Sequence, residues 1–404
     1  MKIALCVRAV QTDGSSHFAL QLGATLLGAG HMVSILAPYP RIVPPGVLTP
    51  GMCYVYINQR SWQSETEHIR HLGRLFCRER FDVVFIIAGL PIPNLEPALR
   101  LLPDTTALVP IVVGDRDHVY EPTLRTTPLW NLALAISPRL QQEMLRRIPQ
   151  KPTLLLTTGI RQPTEQELDQ RPRFPDQLRI LYVGRLFGRK NVLMLPRIMA
   201  ECGRRGVTAA LTIVGSGPDR EHLEAACRDA GVSHVVEFRS IPTQSLLYDA
   251  LRNHQMLLFT SEYGEGLGLV LLEAQANGCV PVASRIPGVT DYAIDDGVTG
   301  LLAEVDDPES FARHLEFLSD EETWQRFSEA AIARTRRLFT LEGMARDYCS
   351  LLEKFRQGGY LLAGSRRAAP IPSVNMRSRI PRAALRIMDT VAELFTAVPR
   401  QRQQ

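Results

Sequence analysis

The sequence predicts an α/β protein built from two doubly wound, Rossmann-like units. Short apolar runs suited to buried parallel strands alternate with helix-length segments, first from residue 3 and again from residue 179. A polar stretch with three prolines, residues 161–177, separates the two series and is predicted to be a linker. The length of 404 residues is enough for two or three domains, which agrees with this division.

The first series opens with a strand at 3–8, a helix at about 17–29 and a strand at 33–36. Gly14 precedes the helix, and its missing side chain would let backbone amides approach a ligand. A purely structural alternative is that Ser15 or Ser16 caps the helix. Residues 38–60 are predicted to be irregular, and a helix at 65–80 and strands at 82–88, 109–113, 129–136 and 152–156 follow.

The second series contains more strands and helices of the same kind. Its apolar runs and helical periodicity continue to residue 357. The predicted strands are 179–183, 211–214, 235–238, 256–259 and the run from 281, and the predicted helices are 191–204, 221–230, 244–252, 269–276, 308–318, 321–337 and 341–357.

The stretch 256–284 carries the strongest chemical signal. It predicts a strand, a loop with three glycines, a helix and another strand. Free amides at a helix start attract anionic or oxygen-rich groups, and glycine permits close approach. Glu265 in the loop and Glu273 in the helix are candidates to bind two hydroxyl-bearing parts of one ligand. The structural alternative is one turn residue and one exposed helix residue.

Two cations, Arg185 and Lys190, follow the first strand of the second series. Their position between a strand and a helix suits a diphosphate, because fixed cations stabilise a departing diphosphate without a metal. Taken alone, both could equally be solvated surface charges. Coupled to the Glu265 loop, they are predicted to bind the ligand.

Polar residues also follow the predicted strand 109–113. Asp115 and Asp117 suggest a site for a metal ion that would bind a pyrophosphate. An Asp-x-Asp triplet is frequent by chance, however, and the favoured interpretation is that no metal binds here. His118, in the same loop, is a further candidate for a functional residue.

Composition and charge restrict the class of protein. Hydrophobic content of 45% and charged content of 22% are typical of a globular enzyme, and seven scattered cysteines without a Cys-x-x-Cys pair indicate a reducing, cytoplasmic compartment. From Gly358 onward eight arginines oppose Asp389 and Glu393, a net +6, so the rest of the chain carries −2. We expect no nucleic-acid partner.

The Arg-rich tail also contains a predicted amphipathic helix. Its apolar positions run from 384 to 398, and arginines crowd its start. Docking on the body or a second subunit is favoured, and contact with the inner face of a membrane is the alternative.

The motifs resemble retaining GT-B glycosyltransferases of family 4. The match comprises Glu265 and Glu273 in a Glu-x7-Glu spacing, the Gly-x-Gly at 266–268, Pro281-Val-Ala-Ser284, and Gly-Arg-Leu at 184–186 followed by Lys190. The resemblance covers roughly residues 178–318. It implies two Rossmann-like domains facing across a cleft, with boundaries at 1–165, 166–177, 178–340, a crossing helix at 341–357 and a tail at 358–404.

The resemblance also implies roles for individual residues. Glu265 and the amides that follow it would bind the donor sugar, Arg185 and Lys190 the diphosphate, and Glu273 the ribose. A turn at 239–242 would contact the base through Ile241, with Ser240 in place of the family's glycine. The implied donor-binding residues are Gly14, Arg185, Lys190, Ile241, Glu265, Gly266, Leu267, Gly268, Leu269 and Glu273, and the implied catalytic ones are Glu265, Arg185, Lys190 and His118.

One departure affects the acceptor side. Family members often carry a histidine after the strand that 109–113 matches, whereas an ungapped comparison puts Arg116 there and His118 two residues later. Either residue is therefore a candidate for that position.

Together these features predict a cytoplasmic, metal-independent, retaining hexosyltransferase with no cofactor. It would move a sugar from a nucleotide-diphosphate donor to an unknown hydroxyl acceptor, in polysaccharide or glycoconjugate synthesis. A GT-B nucleotide-sugar 2-epimerase and a non-catalytic GT-B-like partner protein are the alternatives.

Overall fold

The protein folds into two parallel β-sheets with helices packed on them. The computed structural model describes residues 1–10, 14–38, 48–87, 94–241 and 243–361. One sheet has seven strands and the other six, and neighbouring strands pair in parallel throughout the described residues. The predicted α/β class is confirmed.

The first sheet has the strand order β3-β2-β1-β4-β5-β6-β7. Its central strands consist of apolar residues that are buried on both faces, as expected when helices cover a parallel sheet. The strands are β1 (Lys2–Cys6), β2 (Met32–Ala37), β3 (Cys53–Tyr56), β4 (Val83–Ile87), β5 (Ala107–Val112), β6 (Ala133–Ala135) and β7 (Thr153–Leu155).

Five helices accompany this sheet among the described residues. The best defined start is that of α2, where Ser64 and Glu67 form a reciprocal capping box that satisfies otherwise free amides. The helices are α1 (Gly14–Gly28), α2 (Glu65–Glu79), α3 (Leu95–Leu99), α4 (Asp117–Arg125) and α5 (Pro138–Arg147).

The second sheet has the order β10-β9-β8-β11-β12-β13. The two central neighbours, β8 and β11, end side by side, which brings the loops that follow them together. The elements are α6 (Glu165–Asp169), β8 (Leu178–Val183), α7 (Met194–Arg204), β9 (Ala209–Val214), α8 (Arg220–Asp229), β10 (Val236–Arg239), α9 (Gln244–Asn253), β11 (Met256–Phe259), α10 (Leu269–Ala276), β12 (Val280–Ser284), α11 (Thr290–Ala293), β13 (Leu301–Ala303), α12 (Pro308–Phe317), α13 (Glu321–Leu338) and α14 (Leu341–Arg356).

The last helix, α14, packs on the first half of the chain. Tyr348 is buried and meets Phe85 of β4 edge to face, with ring centroids 6.0 Å apart. Just before α14 begins, the Phe339 carbonyl accepts a hydrogen bond of 3.0 Å from the Ile160 amide of the first half. Buried residues of α14 belong to the same apolar cluster as the core of the first sheet.

Two predictions of secondary structure are corrected. Residues 38–60 were expected to be irregular, yet β3 forms there as an edge strand, where aromatic and β-branched residues outweigh the nearby prolines. The predicted linker contains α6, because Thr164 and Glu167 form a capping box at its start. The amphipathic tail helix lies outside the described residues, and the domain boundaries stay predictions.

No described helix is both long enough and apolar enough to cross a membrane.

Replacing Gly159 by alanine should disturb the junction between α14 and the first half. A Cβ at this position would lie 2.6 Å from the Thr340 carbonyl oxygen, and backbone atoms cannot move aside cheaply. We expect the free energy of unfolding to fall by about 1–3 kcal/mol, measured by denaturant titration. Gly203→Ala in α7 is the matched control, because a Cβ there meets nothing within 4 Å. Equal stability of the two variants would contradict this account.

Candidate functional site

The loop between β11 and α10 places Glu265 at the carboxyl end of the second sheet. β11 is apolar and buried, so its position is determined by core packing. Gly268, the N-cap of α10, has φ +77°, a left-handed conformation that favours glycine. Glu265 is only 7% exposed, which rules out a simple solvated turn residue.

Two cations from the loop after β8 bind the Glu265 carboxylate. Its Oε1 atom lies 2.6 Å from a terminal guanidinium nitrogen of Arg189 and 2.9 Å from Lys190 Nζ. The three side chains are each less than one-fifth exposed. The structure therefore brings the predicted residues Glu265 and Lys190 into direct contact.

Hydrogen bonds to the backbone hold the same two loops together. The Glu262 amide donates to the Arg189 carbonyl at 3.0 Å, and the Thr260 hydroxyl donates to the Lys190 carbonyl at 2.7 Å. Arg189 also donates to the Tyr263 carbonyl at 3.2 Å. The ion pairs thus form between segments whose backbones are already fixed.

The pKa of Glu265 reflects this environment. Burial alone raises the pKa, but the charges of Lys190 and Arg189 and hydrogen bonds from Lys190 and Ser261 outweigh burial, so the net pKa is below its usual range. The carboxylate is ionised at neutral pH and can accept hydrogen bonds from ligand hydroxyls.

Arg185 lies beside this cluster but does not join it. Its guanidinium stacks over the Phe187 ring at 4.8 Å, and Arg189 stacks on the same ring at 5.0 Å. Arg185 is exposed and has no ion pair among the described residues. It is available to an anion from solution, in contrast to Arg189.

Glu273 forms a second buried carboxylate on α10. It is 4% exposed and accepts a hydrogen bond of 2.7 Å from Gln244 on α9. His17 of α1, in the first half, places Nε2 3.2 Å from the same Oε1 atom. Burial and the Glu273 charge raise the pKa of Tyr248 to about 12. Glu273 is therefore contacted by both halves.

The first half meets the glycine loop directly. A Cβ at Gly266 would lie 2.1 Å from the Val113 carbonyl oxygen, which follows β5. At Gly264, which has φ +75°, a Cβ would lie 3.3 Å from Arg116 Cγ. In this structure these two glycines permit close approach of the opposite half of the chain.

Arg116 and His118 bring the end of β5 near the cationic loop. Burial lowers the pKa of Arg116, as do Arg189, Arg185 and Arg8, while Glu265 raises it. Burial, Arg116, Arg8 and Arg189 lower the pKa of His118 from 6.5, against an opposing effect of Asp117. His118 is exposed and neutral at pH 7.

The two aspartates suggested as metal ligands are bound to other side chains. Asp115 accepts hydrogen bonds from Tyr120 at 2.9 Å and Arg139 at 3.0 Å, and Asp117 pairs with Arg147 at 2.9 Å. Within the described ranges, no group of three or more His, Cys, Asp or Glu residues could hold a metal ion.

The remaining predicted residues lie around the same cleft. Gly14 is the first residue of α1, and a Cβ there would meet nothing within 4 Å. Leu267 is buried, Leu269 starts α10, and Ile241 packs on the apolar cluster shared by both halves. These positions are compatible with the predicted roles, which stay predictions.

Sequence reasoning missed three residues at the site, Arg8, His17 and Arg189. Arg189 adjoins Lys190, so two consecutive cations in one loop were a usable signal. Arg8 follows β1, and its charge lowers the pKa of Arg116 and His118 in the same half. His17 lies in α1, and its contact with Glu273 depends on how the halves pack.

Removing the Glu265 charge should destabilise the protein in a pH-dependent way. Because the folded pKa lies below the unfolded value of about 4.3, the ionised carboxylate stabilises the fold above that pH. This stabilisation is lost as the pH falls through the folded pKa. For Glu265→Gln we expect a loss of about 3–5 kcal/mol near neutral pH, which shrinks below about pH 4. Unfolding titrations of both proteins across pH 3–8 would measure it.

Glu237→Gln is the control for that experiment. Glu237 pairs with Arg239 at 2.7 Å, but both side chains are more than half exposed, so its loss should cost less than about 1 kcal/mol. A Glu265→Gln effect no larger than this, or one independent of pH, would contradict the assigned role of the ion pairs.

Comparison with known protein families gives a match to glycosyl transferases group 1 over residues 164–334. A GDP-mannose-dependent alpha-(1-6)-phosphatidylinositol monomannoside mannosyltransferase of Mycolicibacterium smegmatis is 39% identical over 131 residues, 31% of this chain and 34% of that protein. D-inositol 3-phosphate glycosyltransferase of Corynebacterium diphtheriae is 32% identical over 158 residues, 37% and 36% of the two chains. The matches thus span about a third of the relatives' length.

Solved structures resemble nearly the whole described fold. A glycosyltransferase from Rickettsia africae gives a TM-score of 0.70 at 14% identity, covering 89% of this chain and 99% of that one. HepE of Anabaena, in complex with UDP and glucose, gives 0.69 at 16% identity, covering 87% and 99%. At these identities the likeness concerns the fold, and it confirms the GT-B architecture.

The matched segment includes the cationic loop, Glu265 and Glu273, together with the sheet that positions them. Residues 164–334 of this chain thus match the family model of glycosyl transferases group 1, and the candidate site lies largely within this segment.

Proposed function

We propose that the protein is a retaining, metal-independent hexosyltransferase that moves a sugar from a nucleotide-diphosphate donor to an acceptor hydroxyl. The observation that carries this proposal is the contact of Glu265 with Arg189 and Lys190, beside the free guanidinium of Arg185. A carboxylate that accepts hydroxyls thus adjoins cations that attract phosphates. Retention rests on the family likeness.

The donor would lie along the carboxyl edge of the second sheet. Arg185 and Lys190 would neutralise the departing diphosphate, and Glu265 with the amides of Gly266 to Leu269 would hold the sugar. Glu273 would bind the ribose in place of its present contacts, and Ile241 would lie against the base. Gly14 would let α1 approach the donor from the first half.

The acceptor would enter from the first half, near His118. Its neutral imidazole can accept a hydrogen bond from an incoming hydroxyl, since burial and the nearby arginines keep its pKa below 6.5. The names of known relatives support the donor class: one uses GDP-mannose, and HepE of Anabaena binds UDP and glucose.

Three wider aspects of the proposal concern the whole chain. The protein would be a cytoplasmic enzyme of polysaccharide or glycoconjugate synthesis, since such enzymes use nucleotide-sugar donors. No cofactor is proposed. Contact with the inner membrane face through the tail concerns residues outside the described part of the chain.

A nucleotide-binding screen tests the donor site. We expect one of UDP, GDP and ADP, or its sugar conjugate, to raise the melting temperature of the protein in the presence of EDTA. A ligand at a hundredfold excess over its dissociation constant stabilises the folded state by about 2.7 kcal/mol. Arg185→Gln should weaken this effect, whereas Arg60→Gln, at an exposed residue beside Trp62, should not. The absence of any shift would contradict the donor site, and a shift that needs Mg²⁺ would contradict metal independence.

Loss of the central ion pair should abolish transfer. For Lys190→Ala and Glu265→Ala we expect kcat to fall by about a hundredfold or more, since each removes a group that stabilises charge in the reaction. Transfer from the donor selected by the screen would be followed with an acceptor panel, and Arg239→Ala provides an exposed control. Full activity of a folded double variant would contradict the assignment. Conversion of the donor without any acceptor would instead indicate the 2-epimerase.

A further inference from the structure

A carboxylate of the second half and a histidine of the first half meet where the two halves join. Glu273 on α10 is 4% exposed, and His17 Nε2 lies 3.2 Å from its Oε1 atom. The Nε2 atom is itself buried, yet the contact is not aligned as a hydrogen bond, so this nitrogen has no hydrogen-bond partner among the described residues. A buried polar atom without a partner is costly, and a ligand group that satisfied it would gain affinity.

Gln244 contacts the same carboxylate from a second direction. Its side-chain amide, at the first residue of α9, donates to the Oε1 atom of Glu273 at 2.7 Å. The other oxygen, Oε2, has no hydrogen bond within the part of the chain that the structure describes. One carboxylate is thus flanked by two nitrogen atoms, one from each half, and keeps one oxygen unused.

The position of His17 is determined by its neighbours in the first turn of α1. Ser16 is buried and its hydroxyl donates to the Ala9 carbonyl at 2.9 Å, and Phe18 is buried in the core of the first sheet. His17 lies between these two anchored residues and is one-quarter exposed. This turn follows β1 at the carboxyl edge of the first sheet, which is the edge where such sheets bind ligands. The imidazole therefore reaches the other half from a fixed backbone.

These three side chains are chemically complementary to a vicinal diol. Each sugar hydroxyl donates one hydrogen bond and also accepts hydrogen bonds, whereas a carboxylate only accepts. Glu273 alone therefore satisfies the hydroxyl protons and leaves the hydroxyl lone pairs without donors. The amide of Gln244 is a donor, and Nε2 of His17 is the favoured site of the imidazole proton because it faces a carboxylate oxygen. Two hydroxyls on neighbouring carbons can each donate to Glu273 and accept from one of these nitrogens.

We propose that His17 and Gln244 are ribose-binding residues, each donating to one ribose hydroxyl of the nucleotide while Glu273 accepts from both hydroxyls. This proposal rests on the proposed function, because it presupposes a nucleotide at Glu273. On binding, the diol replaces the present contacts of the Oε1 atom and supplies the partner that His17 Nε2 lacks. Because His17 belongs to the first half, the ribose is held from both sides of the junction, and donor binding stabilises the contact between the halves.

Removing the ribose hydroxyls one at a time tests this site. The full chain is titrated by calorimetry with the nucleoside diphosphate that the binding screen selects among UDP, GDP and ADP, and with its 2′-deoxy, 3′-deoxy and 2′,3′-dideoxy forms. We expect the unchanged protein to bind the dideoxy form about tenfold to a hundredfold more weakly than the ribonucleotide, because hydrogen bonds to a charged group are lost. This comparison needs no substitution, so it does not depend on the folding of a variant.

Two variants test the nitrogen donors separately. His17→Ala and Gln244→Ala should each weaken the ribonucleotide about threefold to tenfold, the range for one hydrogen bond, and change the affinity for the dideoxy form by less than about twofold. Each variant should become insensitive to the loss of one hydroxyl, a different one in the two variants. His17→Gln, whose amide places an N–H near the position of Nε2, should keep most of the affinity. His71→Ala is the matched control, because His71 is exposed on α2 of the same half.

Specific outcomes would overturn the proposal. If His17→Ala weakens the ribonucleotide and the dideoxy form equally, His17 only holds the halves together, and if it tightens the ribonucleotide, His17 competes with the ribose. If Glu273→Gln removes the preference for the ribonucleotide while both alanine variants retain it, the inference fails and the proposed function stands. Equal binding of both forms by the unchanged protein would contradict the ribose site. Failure of every nucleotide to bind would contradict the proposed function itself, and with it this inference.

Discussion

The ion pairs of Glu265 with Arg189 and Lys190 are the interaction on which the rest of the site depends. A buried carboxylate is expensive unless its charge is compensated, and here two cations lie 2.6 and 2.9 Å from the same oxygen. Because both cations come from the loop after β8, the carboxylate joins the ends of two neighbouring strands. The ion pairs therefore fix the positions of both loops before any ligand arrives. A ligand that binds these charged groups does not have to order the loops.

The second constraint is the absence of side chains where the two halves touch. Gly266 faces the Val113 carbonyl, and a Cβ at Gly288 would lie 2.8 Å from the Arg139 nitrogen. The Arg139 amide donates to the Gly288 carbonyl at 3.1 Å, so the contact is made by backbone on both sides. Such contacts place the ends of the two sheets within reach of one another. Across the same junction, His17 of the first half lies 3.2 Å from Glu273.

Sequence reasoning predicted those parts of the fold that depend on local pattern. Buried strands such as β4 and β11 appear as apolar runs, and α2 has both periodicity and a capping box. β3 was missed because an edge strand is only half-buried and its signal is weak next to several prolines. The Thr164 and Glu167 cap is a local signal for α6, but it lies in a short segment whose three prolines favour a linker.

The candidate site, like the fold, was predictable only where local sequence pattern determines it. The presence of cations and carboxylates at strand ends follows from order along the chain, so Lys190 and Glu265 were found together. Which of Arg185 and Arg189 contacts Glu265 does not follow from order along the chain. Both guanidinium groups stack on the Phe187 ring, but only Arg189, in the short 3₁₀ turn at Gly188–Lys190, reaches the carboxylate. The contact of His17 with Glu273 required the packing of the halves, which no local pattern encodes.

The Asp-Arg-Asp segment after β5 shows how the same residues support different chemistry once their partners are known. Seen as a sequence, Asp115 and Asp117 suggest a cation site, and Arg116 is a spacer between them. In the folded protein, Arg139 and Arg147 bind the two carboxylates, so both negative charges are compensated from α5. Arg116 then extends over Gly264 toward the other half with its charge uncompensated. The local field is therefore positive, and the segment is suited to an anion, the reverse of what the aspartates alone suggest.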